Sequence, residues 1–209
     1  MTYLLSPTQI FYPALQIFQA TFPALKHLYI KEQVNLSDSA KYIVEFTLVY
    51  NRNKRKIYNY ALKLLGDKML CEDLVQNVFL KFYTNMDRIR NNDRVEVWLF
   101  KTLRNEIYTI FRTRHSRADT FNAKDSDELE IESSVRIDEE TEYSEMDQLI
   151  MNELNGMAFE QREVFLLKEY GGFSYREIAE VMNINEDLVK SRLFKTRRKL
   201  IEKLSKVLK

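Results

Sequence analysis

The chain has 209 residues with only 4 glycines and 3 prolines, and the last proline is Pro23, so little interrupts helices beyond that point and we predict an all-α fold. One cysteine and two well-separated histidines exclude an internal disulfide and give no metal-site spacing, and the chain has no Gly-rich phosphate loop or nucleophile motif. We therefore expect a cytoplasmic protein that is not an enzyme, with no cofactor, no metal and no small-molecule substrate.

Residues 1–40 differ in character from the remainder of the chain. The tripeptide Pro-Ala-Leu occurs twice, beginning at Pro13 and at Pro23, and the apolar runs are too broken to span a membrane. Three interpretations stay open: a small accessory helical segment, a poorly ordered extension, and a mis-called start codon with the protein beginning near Val34. We describe residues 1–40 as an N-terminal extension of unknown role.

Residues 41–118 show a helical period throughout. Apolar residues recur at steps of three and four from Tyr42, and Gly66 predicts a helix stop followed by a restart. The next helix has an apolar stripe that includes Leu74 and Val78, with polar side chains off the stripe. A polar loop at residues 85–95 precedes a third helix, which ends in a cluster of arginines.

Residues 119–147 separate two basic parts of the chain. This stretch contains twelve acidic residues against Lys124 and Arg136, so it carries a charge of −10 inside a chain whose total is +1. It has few apolar anchors and no regular period, which predicts a flexible acidic linker. We therefore expect two small helical domains joined by this linker, the second covering residues 148–209.

The stretch from Phe173 to Leu200 predicts two helices joined by a turn. Ser174 followed by Glu177 fits a capping box, Asn183 suits a left-handed helix end, and Asn185 is a good N-cap for a second helix. Helix, short turn and helix is the helix-turn-helix arrangement, whose second helix enters the major groove of DNA. The inner face of that helix is predicted to hold Leu188, Val189, Leu193 and Leu200.

The outer face of the second helix is the candidate DNA surface. Lysine and arginine neutralise phosphates, and together with serine they also read base edges. A solvated amphipathic helix is the alternative interpretation, and the order of cap, turn and cap favours DNA binding over it. The candidates are Lys190, Ser191, Arg192, Phe194, Lys195, Arg197, Arg198 and Lys199, with Glu186 and Asp187 at the start of the helix.

Two blocks of sequence resemble bacterial sigma factors. The segment "LNGMAFEQREVFLLKEYGGFSYREIAEVMNINEDLVKSRLFKTRRKL" (154–200) resembles their region four. The segments "ALKLLGDKMLCEDLVQNVFLKFY" (61–83) and "VWLFKTLRNEI" (97–107) resemble region two, in family order. Two regions with only an acidic linker between them are similar to the extracytoplasmic-function (ECF) group of the sigma-70 family.

The resemblance implies a promoter-recognition subunit that binds core RNA polymerase, through the β′ clamp helices and the β flap, and that is held by an anti-sigma factor. Its region four would place the outer helix on the −35 element of promoter DNA. Its region two would bind polymerase through Asp73, Gln76, Asn77 and Phe79, although Phe79 is equally well explained as core. It would recognise and melt the −10 element through Asn91, Asn92, Arg94, Arg104, Asn105, Tyr108, Arg112 and Arg114.

Glu186 and Asp187 depart from the family pattern, which has small residues there. Two carboxylates at the DNA end of the helix either repel phosphate or accept from a cytosine amino group, so the −35 sequence cannot be carried over.

Two other function classes compete with this interpretation. One is a two-domain helix-turn-helix regulator in which a helical N-terminal domain senses a signal. The other, an RNA-binding protein or nuclease, has only the positive charge in its favour.

Overall fold

The computed structural model describes residues 36–89, 94–119 and 145–207. These residues form helices and contain no strand, which confirms the all-α prediction. In chain order the elements are α1 (Leu36–Leu65), α2 (Lys68–Ile89), α3 (Val95–Asp119), α4 (Glu145–Asn155), α5 (Phe159–Phe165), a π-helical turn (Leu166–Tyr170), α6 (Tyr175–Met182) and α7 (Glu186–Val207).

Helices α1 to α3 form the N-terminal bundle, and its first turn is set by two residues. Gly66 adopts a φ of 70°, where glycine has no steric penalty, so α1 ends at the predicted stop. Asp67 then caps α2, because its Oδ1 accepts the backbone N–H of Leu70 at 3.0 Å. Helix α3 is held against its neighbours by the Lys56–Glu96 pair at 2.7 Å and by an ion pair between Lys81 and Glu106.

Aromatic side chains fill the core of the N-terminal bundle. The Phe46 ring stacks on Phe82 with centroids 6.2 Å apart and meets Tyr83 edge-on at 5.5 Å. Phe79 is fully buried between Phe46 and Tyr50, with its centroid 4.8 Å from the Tyr50 ring. Such rings bury large apolar areas and favour these tilted geometries, which fixes how α1 and α2 pack.

Helices α4 to α7 and the π-helical turn form the C-terminal bundle. Thr196 on α7 is fully buried, and its hydroxyl donates to the Gln161 carbonyl of α5 at 3.3 Å and to the Arg192 carbonyl at 2.9 Å. The π-helical turn closes with the Gly171 N–H donating to the Leu166 carbonyl at 2.9 Å. These bonds fix how α6 and α7 are oriented relative to α5.

The two bundles pack directly against each other through one continuous core. Phe100 of α3 meets Phe173 edge-on at 4.8 Å, and Phe111 of α3 meets Phe159 of α5 at 5.2 Å. Arg162, only 1% exposed, donates to Asn155 Oδ1 at 2.9 Å and reaches across to the carbonyl of Leu64 in α1 at 3.4 Å. The sequence predicted two domains and a linker, and it did not predict this contact between the domains.

The observed helix ends shift the predicted boundaries of the N-terminal extension and of the linker by a few residues. The last five residues of the predicted N-terminal extension are helical in α1, and the rest of it lies outside the described residues. Asp119 still belongs to α3 and residues 145–147 belong to α4, so only residues 120–144 of the predicted linker fall outside these helices, beyond what the structure describes. Within the described ranges, no helix is both long and apolar enough to cross a bilayer.

Candidate nucleic-acid interface

The helix-turn-helix begins with the predicted capping box. The backbone N–H of Glu177 donates to Ser174 Oγ at 3.3 Å, and the Glu177 carboxylate accepts from the Ser174 backbone N–H at 2.8 Å. The Ser174 hydroxyl also donates to that carboxylate at 2.6 Å. These hydrogen bonds hold the pKa of Glu177 below its usual range, because they favour the ionised form.

The turn between α6 and α7 also has the predicted geometry. Asn183 is left-handed, with φ 55° and ψ 47°, and its backbone N–H bonds to carbonyls of the last turn of α6. Asn185 then caps α7, since its Oδ1 accepts the Leu188 N–H at 2.7 Å. Both predictions are confirmed, and they fix the angle between the two helices.

Helix α7 buries one face and exposes the other. Val189, Leu193 and Leu200 are buried as predicted. Leu188 is 38% exposed and the prediction for it was wrong, because it lies about 100° around the helix from Val189, off the buried stripe. Nine of the ten candidate −35 residues are exposed; the other, Arg192, is half-buried. The exposed candidates are Glu186, Asp187, Lys190, Ser191, Phe194, Lys195, Arg197, Arg198 and Lys199.

Two of the basic candidates on α7 have acidic partners. Lys190 Nζ lies 3.1 Å from Asp187 Oδ1 on the same helix. Arg197 forms an ion pair with Glu169 of the π-helical turn. Both pairs are solvent-exposed, so they contribute little to stability and give way readily to a phosphate.

The candidate polymerase face on α2 is divided by burial. Asp73, Gln76 and Asn77 are exposed on one side of the helix. Phe79 has no exposed surface, and its place in the aromatic core corrects the prediction that it contacts polymerase in this conformation. The polar part of the candidate face is therefore available, and the apolar part is internal packing.

The candidate −10 residues separate into three groups. Asn91 and Asn92 lie outside the described residues, as does the side chain of Arg114. Asn105 and Arg112 are exposed on α3. Arg94, Arg104 and Tyr108 contact the C-terminal bundle, and Arg94 does so through an ion pair with Glu180 of α6.

A buried carboxylate organises the contact between the bundles. Glu163 of α5 is 0% exposed, and its Oε1 accepts from Arg104 Nε at 2.7 Å and from the Tyr60 hydroxyl at 3.0 Å. Its Oε2 accepts from the Tyr108 hydroxyl at 3.3 Å. The Arg104 guanidinium also lies over the Tyr108 ring, 4.2 Å from its centroid. We call Glu163, Arg104, Tyr60 and Tyr108 the junction cluster.

The pKa shifts of the junction cluster follow from burial and mutual charge. Burial raises the pKa of Glu163, against the opposing effect of the Arg104 guanidinium and three donated hydrogen bonds. Burial and the nearby carboxylate both raise the pKa of Tyr60 and of Tyr108, so these hydroxyls keep their protons as donors. Burial acts to lower the pKa of Arg104, but Glu163 outweighs it and the net shift is upward. In this geometry the Glu163 carboxyl group accepts from one guanidinium and two neutral hydroxyls.

Sequence reasoning missed Glu163 and Arg162 as functional residues. The available signal was two adjacent charged residues directly before the apolar run Val164–Leu167, a context where long charged side chains need buried partners. No sequence period indicates which residues the partners of Glu163 are, because they lie 55 to 103 positions away.

Comparison with known proteins decides the family. The model of sigma-70 region 2 matches residues 49–117, and the model of sigma-70 region 4 matches residues 147–200. The chain is 28% identical over 152 residues to the ECF RNA polymerase sigma factor SigM of Bacillus subtilis, covering 73% of this chain and 90% of that protein. It is also 28% identical over 159 residues to SigW of the same organism, covering 72% and 84%.

The chain belongs to the extracytoplasmic-function group of the sigma-70 family. A solved structure of the sigma factor RpoE from Bartonella quintana, in complex with the anti-sigma factor NepR, is similar with a TM-score of 0.65 and 27% identity over 77% of this chain and 96% of that one. This sigma factor therefore directs transcription initiation, and the alternative of a conventional two-domain regulator is not favoured.

Proposed function

We propose that this sigma factor reads promoter DNA with two surfaces and binds core RNA polymerase with a third. The observation that carries the proposal is α7, which a capping box, a left-handed turn and an N-cap hold with its basic face in solvent. A recognition helix must be presented rigidly, because base readout depends on where side chains reach in the groove. The polymerase performs the chemistry, so the chain needs no cofactor of its own.

Helix α7 supplies the −35 contacts. Lys195 and Arg198 are exposed and suit phosphates, while Ser191 and Arg192 lie nearer the start of the helix, where base edges are reached. Glu186 and Asp187, exposed in the first turn, limit which bases can be accepted there. The whole proposed set is Glu186, Asp187, Lys190, Ser191, Arg192, Phe194, Lys195, Arg197, Arg198 and Lys199.

Helix α3 and the residues that precede it in the chain supply the −10 contacts. Melting a duplex needs a basic surface for the single strand and aromatic rings on which bases stack. Asn105 and Arg112 offer polar groups on the exposed side, and Tyr108 offers the ring. The proposed set is Asn91, Asn92, Arg94, Arg104, Asn105, Tyr108, Arg112 and Arg114.

Helix α2 supplies the polymerase contact. Asp73, Gln76 and Asn77 are exposed and suit arginines or backbone groups of the β′ clamp helices, and the C-terminal bundle would meet the β flap. An anti-sigma factor is a further proposed partner, supported by the similar RpoE structure, which was solved in complex with one.

Transcription with purified core polymerase tests this function. We expect the full chain to yield promoter-dependent run-off transcripts from its own genomic templates and to capture core polymerase that carries no other sigma subunit. Asp73→Ala is expected to weaken capture, whereas Asp87→Ala, an exposed acid about four turns farther along α2, should not. Absence of a transcript from any template, or equal loss in both variants, would contradict the proposal.

A further inference from the structure

We propose that this sigma factor closes its own −10 surface, and that the C-terminal bundle does so by imitating a nucleotide, with Glu163 in the place of a phosphate and Phe159 in the place of a base. The inference rests on the function proposed above, because that function assigns Arg104 and Tyr108 to DNA. It deepens that function by giving the free protein an inactive, self-occluded state.

The phosphate part of the imitation is the Glu163 carboxylate. Carboxylate and phosphate are both anions that accept charge-assisted hydrogen bonds from a guanidinium. Arg104 donates to Glu163 at 2.7 Å, and its side chain is only 15% exposed beneath the C-terminal bundle. A DNA phosphate therefore has to displace Glu163 before it reaches Arg104.

The base part of the imitation is the Phe159 ring. It meets the Tyr108 ring edge-on, with the two centroids 5.4 Å apart. Tyr108 is the ring on which a base stacks in the proposed function. Phe159 is itself 4% exposed, so this surface of Tyr108 is dry in the closed state. Glu163 and Phe159, both on α5, thus occupy Arg104 and Tyr108, the side chains that a single-stranded nucleotide needs.

The latch combines apolar and polar contacts. The ring contacts of Phe100 with Phe173 and of Phe111 with Phe159 are lost when it opens, so polymerase and DNA must supply the free energy of opening. A buried ion pair gains Coulomb energy but loses hydration, so its net contribution to stability is small while its directional preference is strong. The exposed pair between Arg94 and Glu180 adds little more. Binding energy from polymerase or DNA can then shift the population from the closed to the open arrangement, because those ligands bind only the open one.

Energy transfer between dyes on the two bundles measures the closed state directly. Arg52→Cys in α1 and Arg176→Cys in α6 place dyes on exposed positions of the full chain, and Cys71 is 0% exposed and does not compete for them. We expect high transfer in this labelled protein. Glu163→Gln should lower transfer, since its amide NH₂ replaces one acceptor oxygen and faces a donor.

Binding of a fluorescent, random-sequence single-stranded DNA oligonucleotide measures the exposed −10 surface. Glu163→Gln is expected to bind it about tenfold more tightly than the wild type. Adding Arg104→Ala to this variant should remove the gain, because the freed guanidinium is its cause. Glu202→Gln, which removes the same charge from an exposed position on α7, should behave as wild type.

Tyr60→Phe provides a second, gentler opening of the latch. It removes the hydroxyl that donates to Glu163 at 3.0 Å, keeps the ring that packs on Phe100 at 5.2 Å, and leaves every proposed DNA-binding side chain in place. We expect a smaller change in the same direction. If Glu163→Gln loses its helical circular dichroism, Tyr60→Phe decides the question.

Two outcomes overturn the latch. One is low energy transfer in the labelled protein that carries neither Glu163→Gln nor Tyr60→Phe. The other is that these variants fold but show the same energy transfer and the same DNA affinity as that protein. Run-off transcription separates this from failure of the proposed function. If the protein yields transcripts but the latch variants behave as wild type, only the latch is contradicted. If the latch variants respond as expected but no transcript forms, only the proposed function is contradicted.

Discussion

The two proposed DNA surfaces of this sigma factor have similar residues and different surroundings. On α7 the basic side chains point into solvent, and their ion pairs with Asp187 and Glu169 are exposed. On α3, Arg104 and Tyr108 are held by a carboxylate with no exposed surface. The difference shows that a basic residue in the right motif is available to DNA only if the rest of the fold leaves it so.

Arg162→Ala is expected to have the largest effect, because the difference between the two DNA surfaces depends on a rigid junction between the bundles. The guanidinium is 1% exposed and connects Asn155, the Leu64 carbonyl and the Phe159 ring, and burial lowers its pKa to about 10. Its loss should reduce the free energy of unfolding by about 3 kcal/mol, measured by urea denaturation. Arg176→Ala, an exposed arginine of α6, should change it by less than about 0.5 kcal/mol. Equal losses would show that the junction is loosely packed.

Removing positive charge from α7 should weaken binding at the −35 surface and leave the −10 surface intact. We expect Lys195→Ala with Arg198→Ala to weaken binding to −35 duplex DNA about tenfold or more, and to lower the magnitude of the salt slope by about 2, because two phosphate contacts are lost. Fluorescence anisotropy at several salt concentrations measures both. Lys54→Ala with Arg55→Ala removes the same charge from exposed positions of α1 and should leave the affinity unchanged.

Ser174→Ala tests whether the rigidity of the helix-turn-helix comes from its capping box. We expect a loss of about 1 kcal/mol in the free energy of unfolding at neutral pH. Because the pKa of Glu177 is lowered in the folded protein, its stabilisation is present above the pKa of the unfolded chain, about 4.3, and is lost as the pH falls through the folded value. The difference between wild type and variant should therefore shrink in acid, as followed by urea denaturation. A pH-independent difference would argue against the Glu177 carboxylate.

The smallest expected effect concerns the two acids that begin α7. Glu186→Gln with Asp187→Asn should raise the affinity for random-sequence duplex DNA about threefold, because two exposed negative charges near phosphate are removed. Glu202→Gln with Glu153→Gln removes the same charge farther along the bundle and is the control. A fall in affinity for one promoter alone would instead indicate that an acid accepts from a cytosine amino group.

The sequence predicted what depends on residues near one another in the chain. The capping box of Ser174 and Glu177, the left-handed Asn183 and the cap at Asn185 each act over a few positions, and all three have the predicted geometry. Phe79 was ambiguous, because an aromatic residue at the edge of an apolar stripe faces either core or solvent, and packing from α1 decides between them.

The junction between the bundles could not be predicted in the same way. Tyr60, Arg104 and Tyr108 lie on two helices of one bundle, and Glu163 lies beyond the acidic segment. Each belongs to a helix whose period is explained without the others, and only the tertiary arrangement brings them together.

The π-helical turn limits how this protein can change over evolution. It ends at Gly171, where an added Cβ would lie 2.6 Å from the Leu167 carbonyl oxygen and 2.8 Å from the Phe173 ring. The same residue thus precedes both the ring that meets Phe100 and the serine that opens the helix-turn-helix. Every amino-acid replacement at this codon should be lost from a selected library, even though the glycine touches neither DNA nor polymerase in the proposed function.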